Sequence, residues 1–124
     1  MNSPEKGKRV EREVAKLCRS LGFRGSRRGR QYAGHPESPD IFLCEGVHVE
    51  VKGTQRFNYL PVMEKLDKEC GNGDIPLILH KYNRQIVRAI FNWQDVWDLY
   101  NALDAVKIFN RMDAANENGF GFKL

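Results

Sequence analysis

Pro39-Asp40-Ile41-Phe42-Leu43-Cys44-Glu45-Gly46-Val47-His48-Val49-Glu50-Val51-Lys52 decides the fold of this chain. It spells two short strands joined by a tight turn. Val47, Val49 and Val51 alternate with His48, Glu50 and Lys52, so the second strand carries valines on one face and polar groups on the other. Ile41 and Leu43 give the first strand a matching apolar face. A two-residue turn at Glu45-Gly46 would pair Ile41 with Glu50 and bury a carboxylate. A three-residue loop, Cys44-Glu45-Gly46 with Gly46 in the left-handed region, instead pairs Ile41 with Val49 and Leu43 with Val47. That register sets Asp40 opposite Glu50, and Lys52 joins them on the polar face.

Such a face is electrostatically unfavourable by itself. Two carboxylates roughly 5 Å apart repel by about 3 kcal/mol at an effective dielectric of 20. Lys52 offsets part of this, and a divalent cation held by both acids offsets the rest. A plain Glu-Lys pair on a solvated strand would give the same bare spacing. The proline before Asp40, the apolar alternation and the hairpin favour the metal site.

The remaining composition narrows the class. At 124 residues the chain suits one domain with a single modest core. No apolar run is long enough to span a membrane, and the first residues lack the apolar core of a signal peptide. Cys18, Cys44 and Cys70 are odd in number and lack metal-ligand spacing. A cytoplasmic protein with reduced thiols, Cys18 in the core and no membrane partner is therefore expected. Residues 1–30 hold ten Lys or Arg against three Glu, while the other residues hold ten against thirteen acids. A basic block ahead of a candidate metal site reads as a phosphate-binding surface, where elsewhere it would be a solvated helix face.

The order of elements follows from periodicity. Ser3-Pro4 opens a helix with Val10, Val14, Leu17, Cys18 and Leu21 on one side, ended by Gly22. Glu11 and Glu13 lie near the two margins of that stripe, and periodicity does not choose between them. Residues 23–28 suggest an edge strand and residues 29–38 a polar loop. After the hairpin come a helix over 58–70 with Leu60, Met63 and Leu66 inward, strands over 75–79 and 85–91 around a turn at Tyr82-Asn83-Arg84, and a helix over 93–103. Trp93, Val96, Trp97, Tyr100 and Leu103 share one side of that last helix, pointing to core or a subunit interface ahead of a base-stacking platform. Residues 1–104 form one domain, and residues 105–124 an irregular C-terminal tail available for dimer contacts. The expected fold is α/β, a mixed sheet flanked by helices on both sides. His48 shares the polar face with Glu50, as a substrate contact or as a hydrogen-bonded structural histidine. His35 has no diagnosed partner.

Lys6-Gly7-x-x-x-Glu11-Arg12-Glu13, Gly22-Phe23, the basic loop, Pro39-Asp40 and Glu50-Val51-Lys52 together resemble the PD-(D/E)xK nuclease superfamily. The archaeal-type Holliday junction resolvases and their phage-encoded relatives are the most similar group, over roughly residues 6–92. Arg28-Gly29-Arg30-Gln31-Tyr32-Ala33-Gly34 is similar to the phage branch in particular. The resemblance implies a restriction-endonuclease-like central sheet. It also implies Mg²⁺ or Mn²⁺ ligated by Asp40, Glu50 and the Val51 carbonyl, Lys52 beside the attacking water, and Glu11 as the helical carboxylate. The serine that archaeal members use before the Asp matches neither Ser26 nor Ser38 cleanly, and Lys65 stands where the phage branch has a helical glutamine.

The activity so implied is hydrolysis of a DNA phosphodiester in a four-way junction by a homodimer carrying two active sites. Lys6, Lys8, Arg9, Arg24, Arg27, Arg28, Arg30 and Gln31 would hold the DNA, the cations through its phosphates. The alternatives are a nuclease of the same chemistry on duplex, nicked or flapped DNA, and a DNA-binding module in which Glu50 and Lys52 merely pair.

Overall fold

The computed structural model describes residues 3–29, 38–82 and 86–117. Helix α1 (Ser3–Ser20) leads to strands β1 (Arg27–Arg28), β2 (Ile41–Phe42) and β3 (Val47–Lys52), then helix α2 (Tyr59–Glu69). Strands β4 (Ile75–Lys81) and β5 (Val87–Ile90) follow, then a 3₁₀ turn at Trp93–Asp95 and helix α3 (Val96–Glu117). The five strands form one sheet in chain order, with β3 and β4 parallel and every other pair antiparallel. A mixed sheet flanked by three helices is the α/β architecture that the sequence calls for.

The alternation in β3 sorts the two faces. Val47, Val49 and Val51 meet Val10, Val14, Ala15 and Cys18 of α1 and Leu99 of α3 in the main core. Ile41, Val14 and Val49 are wholly buried there, each worth roughly 1.5–3 kcal/mol of apolar transfer. On the opposite face Met63 and Leu66 of α2 cover Ile78. Glu50 pairs in register with Ile78 and Lys52 with His80, so the polar residues of β3 share the α2 side.

Local chemistry closes the elements. Gly22, at φ 105°, ends α1 in a Schellman turn, with Gly22 N donating to Arg19 O and Phe23 N to Cys18 O, both at 3.0 Å. Asn58 caps α2 by accepting from Leu60 N at 3.2 Å. Gly46 has φ 83°, as the three-residue hairpin loop requires, and Ile41 pairs with Val49.

Several expectations are corrected. The edge strand over 23–28 shrinks to Arg27–Arg28, because Ser26 N turns back onto Phe23 O at 2.9 Å. Leu60 lies outward, and Leu17 and Leu21 sit at an exposed margin while Ala15 is buried. Residues 105–117 are no irregular tail, since α3 continues to Glu117 and packs Val106 on the core, and the rest of the expected tail lies outside the described residues. Trp93 and Trp97 are both 73% exposed and Tyr100 is 56% exposed, so the aromatic part of this stripe is no core; Leu103 packs against the core and Leu99 takes the buried position. The tip between β4 and β5 falls partly outside the described residues.

Candidate functional site

Asp40 enters β2 through a kink. Its amide donates to Val49 O at 2.9 Å, although Val49 is the register partner of Ile41. Two successive residues thus address one, the signature of a bulge, which re-aims the first side chain. Asp40 therefore does not simply face Glu50 across a regular ladder. Its Oδ2 accepts from the Val51 amide at 2.9 Å, which places the carboxylate over the Glu50-Val51-Lys52 segment. On its other flank Gly29 N donates to Asp40 O at 2.8 Å. A side chain at Gly29 could not fit there, because its Cβ would lie 2.0 Å from Pro39 O.

The charges around Asp40 are unbalanced. Burial first, then repulsion from Glu50, push its carboxyl up from 3.8 to about 7. The Val51 amide and Lys52 pull against that rise, and Glu11 adds to it. Lys52 Nζ lies 3.5 Å from Glu50 Oε1. Glu11 accepts from Arg28 Nε at 2.8 Å, a pair with side chains 17% and 34% exposed. Asp40, Glu50, Lys52 and Glu11 therefore act on one another electrostatically, and Val51 supplies the backbone between them.

Close packing aims α1 at this edge. A Cβ on Gly53 would meet Val10 Cγ2 at 2.8 Å, so glycine lets the end of β3 press on the helix one residue before Glu11. A glycine immediately after Lys52 is a sequence signal for such an approach. Gly29 gave a comparable signal within the basic loop. Arg28, expected to bind phosphate, proves to be the partner of Glu11, which no local periodicity could show.

The donors available to an ion are all oxygens, as a hard divalent cation prefers, and Asp40 with Glu50 could hold one. Among the described residues no three His, Cys, Asp or Glu side chains cluster as a metal cage. Glu11 is turned to Arg28, and an ion held by Asp40 and Glu50 would complete its shell with water.

The expected DNA-contacting residues scatter. Lys6 lines a cleft with Glu11 and Val51. Arg9 lies 3.9 Å from Glu13, and Lys8 lies 4.0 Å from Glu5. Arg24 pairs with Asp113 of α3 at 3.5 Å, beside an apolar cleft that includes Phe42 and Phe109 and lacks every acidic residue of the site. Arg27 lies over the Phe42 ring at 4.7 Å and donates to Gly25 O. Arg30, Gln31 and His35 fall outside the described residues. His48 is buried with Nε2 3.3 Å from Glu69 Oε2, an approach without hydrogen-bond geometry. Ser26 is buried beside Cys18, a core position.

Compared with protein-family models, curated proteins and solved structures, the chain matches none.

Proposed function

We propose that this chain is a divalent-metal-dependent endonuclease that cuts branched DNA, a four-way-junction resolving enzyme of the PD-(D/E)xK type working as a homodimer in the cytoplasm. The observation that supports it most is the bond from Val51 N–H to Asp40 Oδ2, which brackets Asp40 between Glu50 and Lys52. Asp40 and Glu50 would hold Mg²⁺ or Mn²⁺, with Glu11 behind them. Bound there, such an ion supplies Lewis-acid stabilisation to phosphoryl and leaving oxygens.

The remaining roles belong to the chain's own groups. Lys52, 3.5 Å from Glu50, carries positive charge to the place where a pentacoordinate phosphorane and its attacking water become negative. Arg28 fixes the Glu11 carboxylate and limits its motion. Lys6, which lines the cleft with Glu11 and Val51, would hold a neighbouring phosphate. The exposed Trp93, Trp97 and Tyr100 offer an apolar stripe for a second copy.

One observation favours a second reading. Lys52 already neutralises part of Glu50, as in a DNA-binding module without activity. Incubation with Mg²⁺ and equimolar four-way junction and linear duplex, with Glu50→Ala as control, separates the possibilities. Selective junction cleavage lost in Glu50→Ala supports the proposal. Equal cleavage of both substrates replaces it with a duplex or repair nuclease, and no cleavage with either Mg²⁺ or Mn²⁺ leaves the binding module.

A further inference from the structure

Two adjoining clefts meet at Lys6, Val10 and Gly53. The first, about 230 Å³, opens on Glu11 and Val51. The second, about 460 Å³, runs to Lys81 and Tyr82. Together they make a trough from the acidic edge, along the N-terminal half of α1, to the end of β4. Gly53 and Val10, in close contact, line both clefts. Lys6, Arg9 and Lys81 border it, and Glu13 is the acid among them.

Glu13 is bound from two sides. Lys81 Nζ donates to its Oε2, and Arg9 Nε lies 3.9 Å from its Oε1. Cations from a helix and a strand thus converge on one carboxylate at the trough wall. Glu13 is 44% exposed, so water screens these pairs and another anion can compete for the same cations. A phosphodiester suits them, since its two non-bridging oxygens can bridge a guanidinium and an ammonium.

We propose that this trough binds the DNA backbone beside the cleavage site and that a backbone phosphate displaces Glu13 from Lys81 and Arg9. The identity of the ligand rests on the nuclease reading, but the surface would bind DNA whether or not a strand is cut. Glu13 then acts as a built-in competitor, and its removal strengthens binding. An ion pair with a purely structural role makes the opposite prediction, lost stability with no gain in affinity.

The test measures binding of the full chain to a labelled four-way junction in EDTA, across a series of KCl concentrations, with melting temperatures recorded alongside. Glu13→Gln is expected to tighten binding by about three- to tenfold and to steepen the salt dependence. Lys81→Gln and Arg9→Gln are each expected to weaken binding and flatten the slope of log K against log[salt] by about 0.9. Unchanged or weaker binding by a folded Glu13→Gln overturns the proposal. Should that variant fail to fold, unchanged slopes in Lys81→Gln and Arg9→Gln overturn it equally. A protein that shows the expected slopes yet never cuts with Mg²⁺ or Mn²⁺ supports the trough and defeats the nuclease reading. One that cuts while ignoring both cation replacements defeats the trough alone.

Discussion

Val51 N–H donates to Asp40 Oδ2 at 2.9 Å, tying the kinked start of one strand to the acidic end of its neighbour. This bond holds a carboxylate beside two others that repel it. Functional sites commonly keep such opposed charges where a ligand relieves them.

Replacing Asp40 with Asn keeps an acceptor for Val51 N–H and removes the charge. Cleavage of a four-way junction in Mg²⁺ is expected to fall by at least about a hundredfold, on the scale of losing a transition-state electrostatic group. Junction binding in EDTA should stay within a few-fold of the parent. Single-turnover cleavage and binding titrations check this, and a variant that still cuts at the parental rate removes Asp40 from the chemistry.

Stability should carry the same signature. Asp40 rises from 3.8 to about 7 on folding, so across that interval the folded chain keeps a proton that the unfolded chain has lost. Its contribution to stability therefore falls as pH rises from 3.8 through about 7 and is least favourable above that. In EDTA the melting temperature of Asp40→Asn relative to the parent is expected to climb over this range. Added Mg²⁺ should shrink the difference at high pH, because an ion bound by the folded state stabilises it. A pH-independent difference contradicts the raised Asp40 carboxyl, and with it the burial and the acidic neighbours that push it up.

Gly53→Ala tests the contact that aims α1. Its new methyl would lie 2.8 Å from Val10 Cγ2, and overpacking of this kind costs about 1–3 kcal/mol. Shortening the neighbour in Val10→Ala/Gly53→Ala should recover about 1 kcal/mol of that loss as a coupling energy. Urea denaturation of the two single variants and the double variant provides the measurement. Strict additivity means that the two residues do not compete for the same space.

Arg28→Ala removes the partner of Glu11. The pair is partly buried, and about 1 kcal/mol of stability is expected to go with it. Glu11→Gln should cost a similar amount, and the double variant little more than either. A double-mutant cycle with no coupling would mean that the ion pair does not hold Glu11 in solution.

Trp97→Asp places a charge in the exposed stripe of α3. If two copies pair there, the variant runs as a monomer in sedimentation or light scattering while the parent runs as a dimer. Far-ultraviolet circular dichroism should be unchanged, because Trp97 is 73% exposed and leaves the core intact. A parent that is monomeric at high concentration excludes this face as a dimer contact.

The hairpin was legible in the chain because one rule governed it. Only one loop length keeps Ile41 and Val49 together without burying Glu50, and that register is the one observed. Glycine punctuation likewise fixed the end of α1, since a left-handed residue at Gly22 closes the last turn. The extent of α3 was not legible, because Ala105, Ala114 and Ala115 suit a helix without making an apolar stripe. Periodicity grouped Trp93, Trp97 and Tyr100 on one face and could not say that the face points to solvent.

Sequence alone determined which residues alternate on β3, and with them the acid and amine that share its polar face. The motif resemblance pointed to Glu11, and only the tertiary structure decided which of Glu11 and Glu13 lies near Asp40. The two lie about 200° apart around the helix axis, so either could reach a sheet edge until the helix docks. Contact between Val10 and Gly53 fixes its rotation, turning Glu11 to Arg28 beside Asp40 and Glu13 to Lys81 at the far end of the trough. Docking depends on partners 17 and 68 residues away along the chain, and no local pattern encodes them.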